Sequence, residues 1–254
     1  MYNKKNDMKI LVIGESCIDK FIYGNAYRIS PEGPVPILEP NEEKENPGMA
    51  GNVFENLKIL GLDVYFITNK TKSIKTRYVE TERNHMFLRV DINKEMEKFN
   101  ANDIDFKKYK AIVISDYNKG FLDSKAIKKI SENHPLTFLD TKKKKINNDF
   151  HQIKFLKINE KEYLENEDYL KNFPNELIIT LGGRGAKHNN IIYPVENPST
   201  IFDLTGAGDV FLAALVYNYL KTYSIEDSIK FANKCASKSV QRRGTSIIEK
   251  KDIE

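Results

Sequence analysis

Residues 203–211 read Asp-Leu-Thr-Gly-Ala-Gly-Asp-Val-Phe, with two glycines and a carboxylate at the start of an apolar stretch. Gly206 and Gly208 lack a Cβ, so the backbone there can approach a ligand closely. The run from Val210 to Tyr219 reads as a helix, and the turn before it would present backbone N–H groups at the positive end of the helix dipole. Such a turn suits a phosphate. Asp209 falls in the first helical turn, where a carboxylate is out of place for simple anion binding. It makes sense if it takes the proton from a hydroxyl that attacks phosphorus. Read alone, the same residues also fit a tight turn and a helix start whose dipole favours Asp209. The segment is not a Walker A loop, because no Gly-Lys-Ser or Gly-Lys-Thr follows. Nor is it a dinucleotide fingerprint, which would follow the first strand.

Other elements must hold this turn in place. Residues 9–14 read as a buried strand, and 35–38, between Pro34 and Pro40, as a short edge strand where proline is tolerated. Residues 49–60 carry Val53, Leu57 and Leu60 at helix spacing. A strand follows at 63–67, and 75–81 and 85–91 alternate and can pair through a polar turn. Further on, strands at 111–115, 136–140, 154–158 and 176–181 alternate with helices at 124–132 and 161–165. Two short β segments around 186–193 and helices at 207–219 and 225–240 complete the pattern. This order predicts an α/β fold with a mainly parallel sheet flanked by helices on both faces. No repeat, linker or boundary is visible, so 1–254 reads as a single domain. The β-rich stretches at about 20–45 and 75–91 predict a small β lid.

Composition sets outer limits. The chain has 254 residues, 40% hydrophobic and 30% charged, as an ordinary globular protein would. Its two cysteines and four histidines show no metal-ligand spacing, and no CxxC pair is present. A reducing, cytoplasmic setting is therefore expected. The net charge of +4 is spread along the chain, and the run Lys142–Lys145 lacks interleaved aromatics, so no nucleic-acid partner is expected. The N-terminal apolar run is only Ile10 to Ile13, a strand and not a signal peptide. No run approaches the ~18 apolar residues that cross a bilayer, so no membrane partner is expected.

Several ordered motifs resemble one family. Asp203-Leu-Thr-Gly-Ala-Gly-Asp209 is similar to the C-terminal signature of the ribokinase-like (PfkB) carbohydrate kinases, and Asn46-Pro-Gly-Met-Ala-Gly-Asn52 to their N-terminal glycine signature. Within it, Arg28-Ile-Ser-Pro-Glu-Gly-Pro-Val-Pro36, Thr76-Arg77 with Arg89-Val-Asp91, and Ser115-Asp-Tyr-Asn-Lys-Gly120 resemble the bacterial heptose 7-phosphate kinases of ADP-heptose and lipopolysaccharide precursor synthesis. The resemblance runs from about residue 9 to residue 248.

It implies a ribokinase-like fold and an ATP- and Mg²⁺-dependent transfer of phosphate to a sugar hydroxyl, with a monovalent cation as a further cofactor. Asp209 is then the general base, and the amides of Gly206, Ala207, Gly208 and Asp209 form the anion hole for the moving phosphoryl group. Asn159 and Glu162 match the Asn-x-x-Glu element that organises Mg²⁺, the ion held through water. Bare, Glu162 is an exposed helix residue. Thr180, Gly182, Gly183 and Gly185 match a nucleotide-contacting turn, and Asn233 the adenine pocket; bare, these are a glycine-rich β-turn and an exposed helix position. Asp19, Gly48 and Asn52 match sugar-contacting positions. Arg28 and Arg77 are expected to hold a sugar phosphate, since a guanidinium fork fits phosphate, or else are plain surface charge.

Two departures stand out. Met49 occupies the place of a usual second glycine, and residues 69–74 run almost directly into Lys75, where the family has a further helix and strand. A homodimer through the β lid, weakened by that shortening, is expected. No nucleotidyltransferase segment is recognisable, so adenylylation is expected to need another protein. Kinases for other sugars, and a catalytically silent sugar- or nucleotide-binding paralogue, remain alternatives.

Overall fold

In a computed structural model, residues 9–102, 104–196 and 202–253 are described. The chain runs β1 (Lys9–Gly14), β2 (Ser16–Ile29), β3 (Pro36–Met49), α1 (Ala50–Ile59), β4 (Asp63–Ile67), β5 (Ser73–Glu80) and β6 (His85–Ile92). It continues with β7 (Ala111–Asp116), α2 (Ser124–Asn133), β8 (Thr137–Thr141), β9 (Phe155–Asn159), α3 (Glu160–Glu165), α4 (Glu167–Leu170) and β10 (Glu176–Thr180). Last come β11 (Ala186–His188), β12 (Ile191–Tyr193), α5 (Ala207–Thr222), α6 (Ile225–Ser239) and α7 (Lys250–Ile253).

Strands β4, β1, β7, β8, β9 and β10 lie side by side and parallel, and β11 and β12 add an antiparallel edge. The apolar runs of β1 and β7 make them central, because a parallel strand is buried on both faces. Ile10, Val12, Val113, Phe138 and Phe155 pack under α1, α5 and α6, while Leu11, Ile112, Ile114, Leu139 and Leu156 form a second core on the other face. The result is the ribokinase-like α/β architecture. From β1 the chain passes first to β4 on one side and later to β7 on the other, so the strand order reverses at β1/β7. A crevice opens at the strands' C-terminal ends at such a point.

The lid is a four-stranded sheet in the order β3-β2-β5-β6. Its outline was legible, but its strands are longer than expected: β3 spans 14 residues, where the sequence suggested a short segment at 35–38. β3 pairs only with β2, so Pro36, Pro40 and Pro47 sit on an edge strand. It is exposed along most of both faces, which erases the alternation that marks a half-buried strand. β4 ends at Ile67 and β5 begins at Ser73, so no helix and strand intervene.

Candidate active site

Helix α5 begins at the crevice. Gly206 caps it in the left-handed region at φ 84°, and a Cβ there would fall 2.5 Å from Asn52 Nδ2. A Cβ on Gly208 would lie 3.1 Å from Lys157 Nζ. The turn therefore needs both glycines, one for its backbone conformation and one for the close approach of a cation. Val210 to Val216 are all buried and anchor the helix in the core, so the turn is rigidly placed.

Asp209 is only 3% exposed. The Tyr117 hydroxyl donates to its Oδ1 at 2.6 Å, and Asn52 Nδ2 donates to its Oδ2 at 3.2 Å. Burial pushes its carboxyl up to about 6, against the hydrogen bond from Tyr117; the Asp140 charge adds to the rise, and Asn52 and Lys157 oppose it. A carboxylate so placed is ionised at neutral pH yet basic enough to take a proton.

Beneath the turn runs a row across the sheet: Ser115 of β7 pairs in register with Asp140 of β8, and Asp140 with Lys157 of β9. Lys157 Nζ lies 2.6 Å from Asp140 Oδ2, both buried. Lys142 lies 3.2 Å from Asp140 and 2.8 Å from Glu162. Burial would raise the Asp140 carboxyl, but the two lysines outweigh it and hold it below the ordinary value. Burial would lower the Lys142 ammonium, but Asp140 and Glu162 hold it above its usual range. The sequence reading passed over Lys157. Its signal was a lysine inside the apolar strand Phe-Leu-Lys-Ile-Asn, a position that tolerates charge only with a partner.

A cleft of about 470 Å³ opens beside the turn, lined by Lys142, Lys157, Asn159, Thr180, Gly182, Gly183, Gly185, Ala207, Gly208 and Asn233. The predicted nucleotide residues thus converge. Asn233 is buried and donates to the Tyr193 carbonyl at 2.8 Å, so it is not an exposed helix position. Asn159 caps α3 in a reciprocal box with Glu162.

The lid side is more divided. Asp19 is buried and accepts from Arg77 at 2.6 Å, and the Arg77 guanidinium lies 5.0 Å from the centre of the Phe21 ring. A Cβ on Gly48 would fall 2.3 Å from Asp19 Oδ2. Lys75 and Arg89 stand on the same face of the lid as Arg77. Asn52 reaches Asp209 itself. Arg28 is apart: its side chain is 64% exposed near the lid tip, 4.0 Å from Glu39. Met49 has φ 59° and ψ −134°, a positive-φ conformation that a glycine would take without strain.

Residues 51–252 match the model of the pfkB family of carbohydrate kinases. The chain belongs to that family. The bifunctional protein HldE of Helicobacter pylori is 28% identical over 308 aligned positions, covering 96% of this chain and 65% of that protein. The chain thus spans about 65% of the length of that curated relative, and the alignment is longer than its own 254 residues. Two solved structures share the fold. Ribokinase from Thermotoga maritima has a TM-score of 0.71 at 17% identity, covering 97% of this chain and 98% of that one. Phosphofructokinase-2 from Escherichia coli has a TM-score of 0.70 at 14% identity, covering 97% of each.

For a pfkB kinase, the donor set bears on how a divalent ion would be held. No cluster of three or more His, Cys, Asp or Glu side chains that could hold a metal occurs among the described residues. Glu162 Oε2 accepts the Asn159 backbone N–H at 2.8 Å, and its Oε1 faces Lys142. Both Glu162 oxygens thus have protein partners, so a divalent ion carried by nucleotide phosphates would meet Glu162 only through water. Thr245 Oγ1 is buried without a hydrogen-bond partner, and its methyl group lies 3.1 Å from where a Gly206 Cβ would stand. No helix among the described residues is long and apolar enough to cross a membrane.

Proposed function

We propose that this protein phosphorylates the anomeric hydroxyl of a heptose 7-phosphate, as a cytoplasmic step toward ADP-heptose and lipopolysaccharide precursors, with the whole chain acting as one kinase domain. The observation that carries the catalytic part is Asp209, a buried carboxylate in the first turn of α5 beside a glycine turn. The sugar hydroxyl gives its proton to Asp209, and the amides of Gly206 and Gly208 meet the charge that spreads over the transferring phosphoryl oxygens, while the N–H groups of Ala207 and Asp209 donate to the Leu204 and Gly206 carbonyls at 3.3 and 3.0 Å. Lys157, just beneath Gly208, adds positive charge there. Mg²⁺ would be held by the nucleotide and, through water, by Glu162, and would neutralise phosphate charge. A monovalent cation beside Thr245 is supported by that residue's unpartnered hydroxyl.

The substrate rests on the motifs at 28–36, 76–77, 89–91 and 115–120, and on a lid face that carries Lys75 and Arg89, with the Lys75 ammonium 5.6 Å from the centre of the Tyr117 ring. Coupled ADP release across a panel of sugars and sugar phosphates tests the reading. Fastest turnover on a heptose 7-phosphate is expected; preference for unphosphorylated ribose or fructose would remove the heptose while leaving the kinase. The strained Met49 at the sugar side favours one rival, a silent sugar- or nucleotide-binding paralogue. ATP binding with no ADP release on any sugar would establish it.

A further inference from the structure

Tyr117 stands between the base and the lid. Its hydroxyl lies 2.6 Å from Asp209 Oδ1, and the Lys75 ammonium lies 5.6 Å from the centre of its ring. The loop that carries it is clamped by two buried carboxylates at the strand-order reversal. Glu15, next after β1, accepts the N–H groups of Tyr117 at 2.8 Å and Lys119 at 3.1 Å. Asp116, the last residue of β7, accepts the N–H of Asn118 at 3.0 Å, and Asn118 takes a left-handed φ of 55° that turns the chain. This much fixed backbone is more than a surface loop needs.

We propose that Tyr117 is the positioning residue of the base: its hydroxyl holds one oxygen of Asp209 while Asn52 holds the other, so the carboxylate faces the acceptor hydroxyl in a single orientation. The proposal rests on Asp209 acting as the base. A carboxylate oxygen has a second lone pair, so the bond from Tyr117 leaves room for the incoming proton. The hydroxyl can only donate here. Burial and then the Asp209 charge hold the phenol well above its ordinary value, so it keeps its proton and cannot itself serve as the base. Its bond favours the ionised form of Asp209 and offsets part of the cost of burial.

Glu15 and Asp116, which clamp the Tyr117 loop, also have carboxyls raised above the ordinary value, chiefly by burial, so it is the limb that moves with the Tyr117 donor that belongs to Asp209. Asp140 from β8 is held ionised by Lys142 and Lys157. Cys17 from β2 has its thiol pushed up to about 11, chiefly by burial. Lys75 from β5 faces the ring, and Asn52 from α1 carries no charge.

The test is the pH dependence of kcat/KM, measured by ADP release. Tyr117→Phe keeps the ring and removes the donor. Its acid limb, expected near 6 in the wild type, should move up by about one pH unit. The loss should be roughly tenfold or more on the acid side, the size of a lost hydrogen bond to a charged group, and should shrink as the pH rises. A fluorinated tyrosine placed at 117 keeps the shape and donates more strongly, so its limb should move the opposite way. That variant carries the test if Tyr117→Phe does not fold, which ATP binding by calorimetry will reveal. Unmoved limbs, or a loss equal at every pH, would overturn the proposal. Failure of the base reading shows separately, as full turnover in Asp209→Asn, and removes this inference with it.

Discussion

The guanidinium of Arg77 and the carboxylate of Asp19 meet at 2.6 Å inside the lid, with only 8% and 5% of their side chains exposed. A buried pair of this kind is worth little against apolar replacements, but breaking it strands a charge. Arg77 is therefore committed to Asp19; Arg89 is itself paired with Asp91, through Nε at 2.7 Å and Nη2 at 2.6 Å, but with 42% of its side chain exposed it is the more accessible of the two to a phosphate.

Arg77→Ala should lower stability by about 3–5 kcal/mol, because Asp19 loses its counter-ion. Urea denaturation measures it. Turnover on phosphorylated and free sugar should fall alike. Arg89→Ala should instead lower kcat/KM for the phosphorylated sugar by about tenfold more than for the free sugar. A tenfold selective loss in Arg77→Ala, with stability unchanged, would return the phosphate to Arg77.

Asp209→Asn should fold, bind ATP and lose about 10²–10⁴ in turnover, the usual share of a general base. Turnover within a few-fold of wild type would take Asp209 out of the mechanism. Stability gives an independent check. The folded carboxyl titrates at about 6, above the ordinary 3.8, so the folded state binds the extra proton between those values. The ionised form destabilises the fold by about 3 kcal/mol above pH 6, and that cost disappears below pH ~4. Asp209→Asn should thus be the more stable protein at pH 8, with the advantage fading as the pH falls.

What the sequence showed and what it hid have physical causes. The central strands were legible because strands buried on both faces read as unbroken apolar runs, as in Ile10–Ile13 and Ala111–Ile114. Gly206 and Gly208 were legible because their lack of a side chain is the message. Lys157 and Tyr117 were not singled out. Their importance comes from neighbours distant in sequence, Asp140 17 residues away and Asp209 92 residues away. Arg28 and Arg77 fell in the same expectation, yet one is exposed near the lid tip and the other is paired and buried, a difference that only strand register decides.

Lys157→Met should test the floor of the site. Asp140 would keep Lys142 but lose its 2.6 Å partner, for an expected cost of about 3 kcal/mol at pH 7. KM for ATP should rise, since a cation leaves the underside of the Gly208 turn. Asp140 has a depressed carboxyl, so its stabilising share is present above the ordinary carboxylate value and lost as the pH falls through the depressed one. The stability gap between wild type and variant should therefore narrow in acid. A gap constant down to pH ~3 would mean the loss is one of packing.

Gly48→Ala should separate the sugar site from the nucleotide site. The added methyl would stand 2.3 Å from Asp19 Oδ2 and 2.6 Å from Cys17 Sγ, and Asp19 is pinned by Arg77. Something must shift by a large fraction of an ångström, and displacement of that size at a reacting centre costs up to about 10²-fold. We expect kcat/KM for the sugar to fall tenfold or more while ATP affinity, by calorimetry, stays within twofold. Equal losses for both substrates would place Gly48 in the scaffold and not in the sugar site.

The lid's outer face carries the last expectation. Leu88, Val90 and Ile92 of β6 are 54%, 39% and 49% exposed, and they alternate with Arg89 and Asp91, which face inward. An edge strand with an apolar face is an aggregation hazard unless something covers it. A second copy of the lid is the simplest cover. The direct run from β4 into β5 leaves less structure to brace that sheet, so the pairing should be reversible. In sedimentation at micromolar concentration, the average mass should fall on dilution, and Leu88→Glu should give a monomer that still binds ATP. A dimer that survives nanomolar dilution would show that the shortened middle does not matter to assembly, and a wild-type monomer at every concentration would leave the face without a second copy.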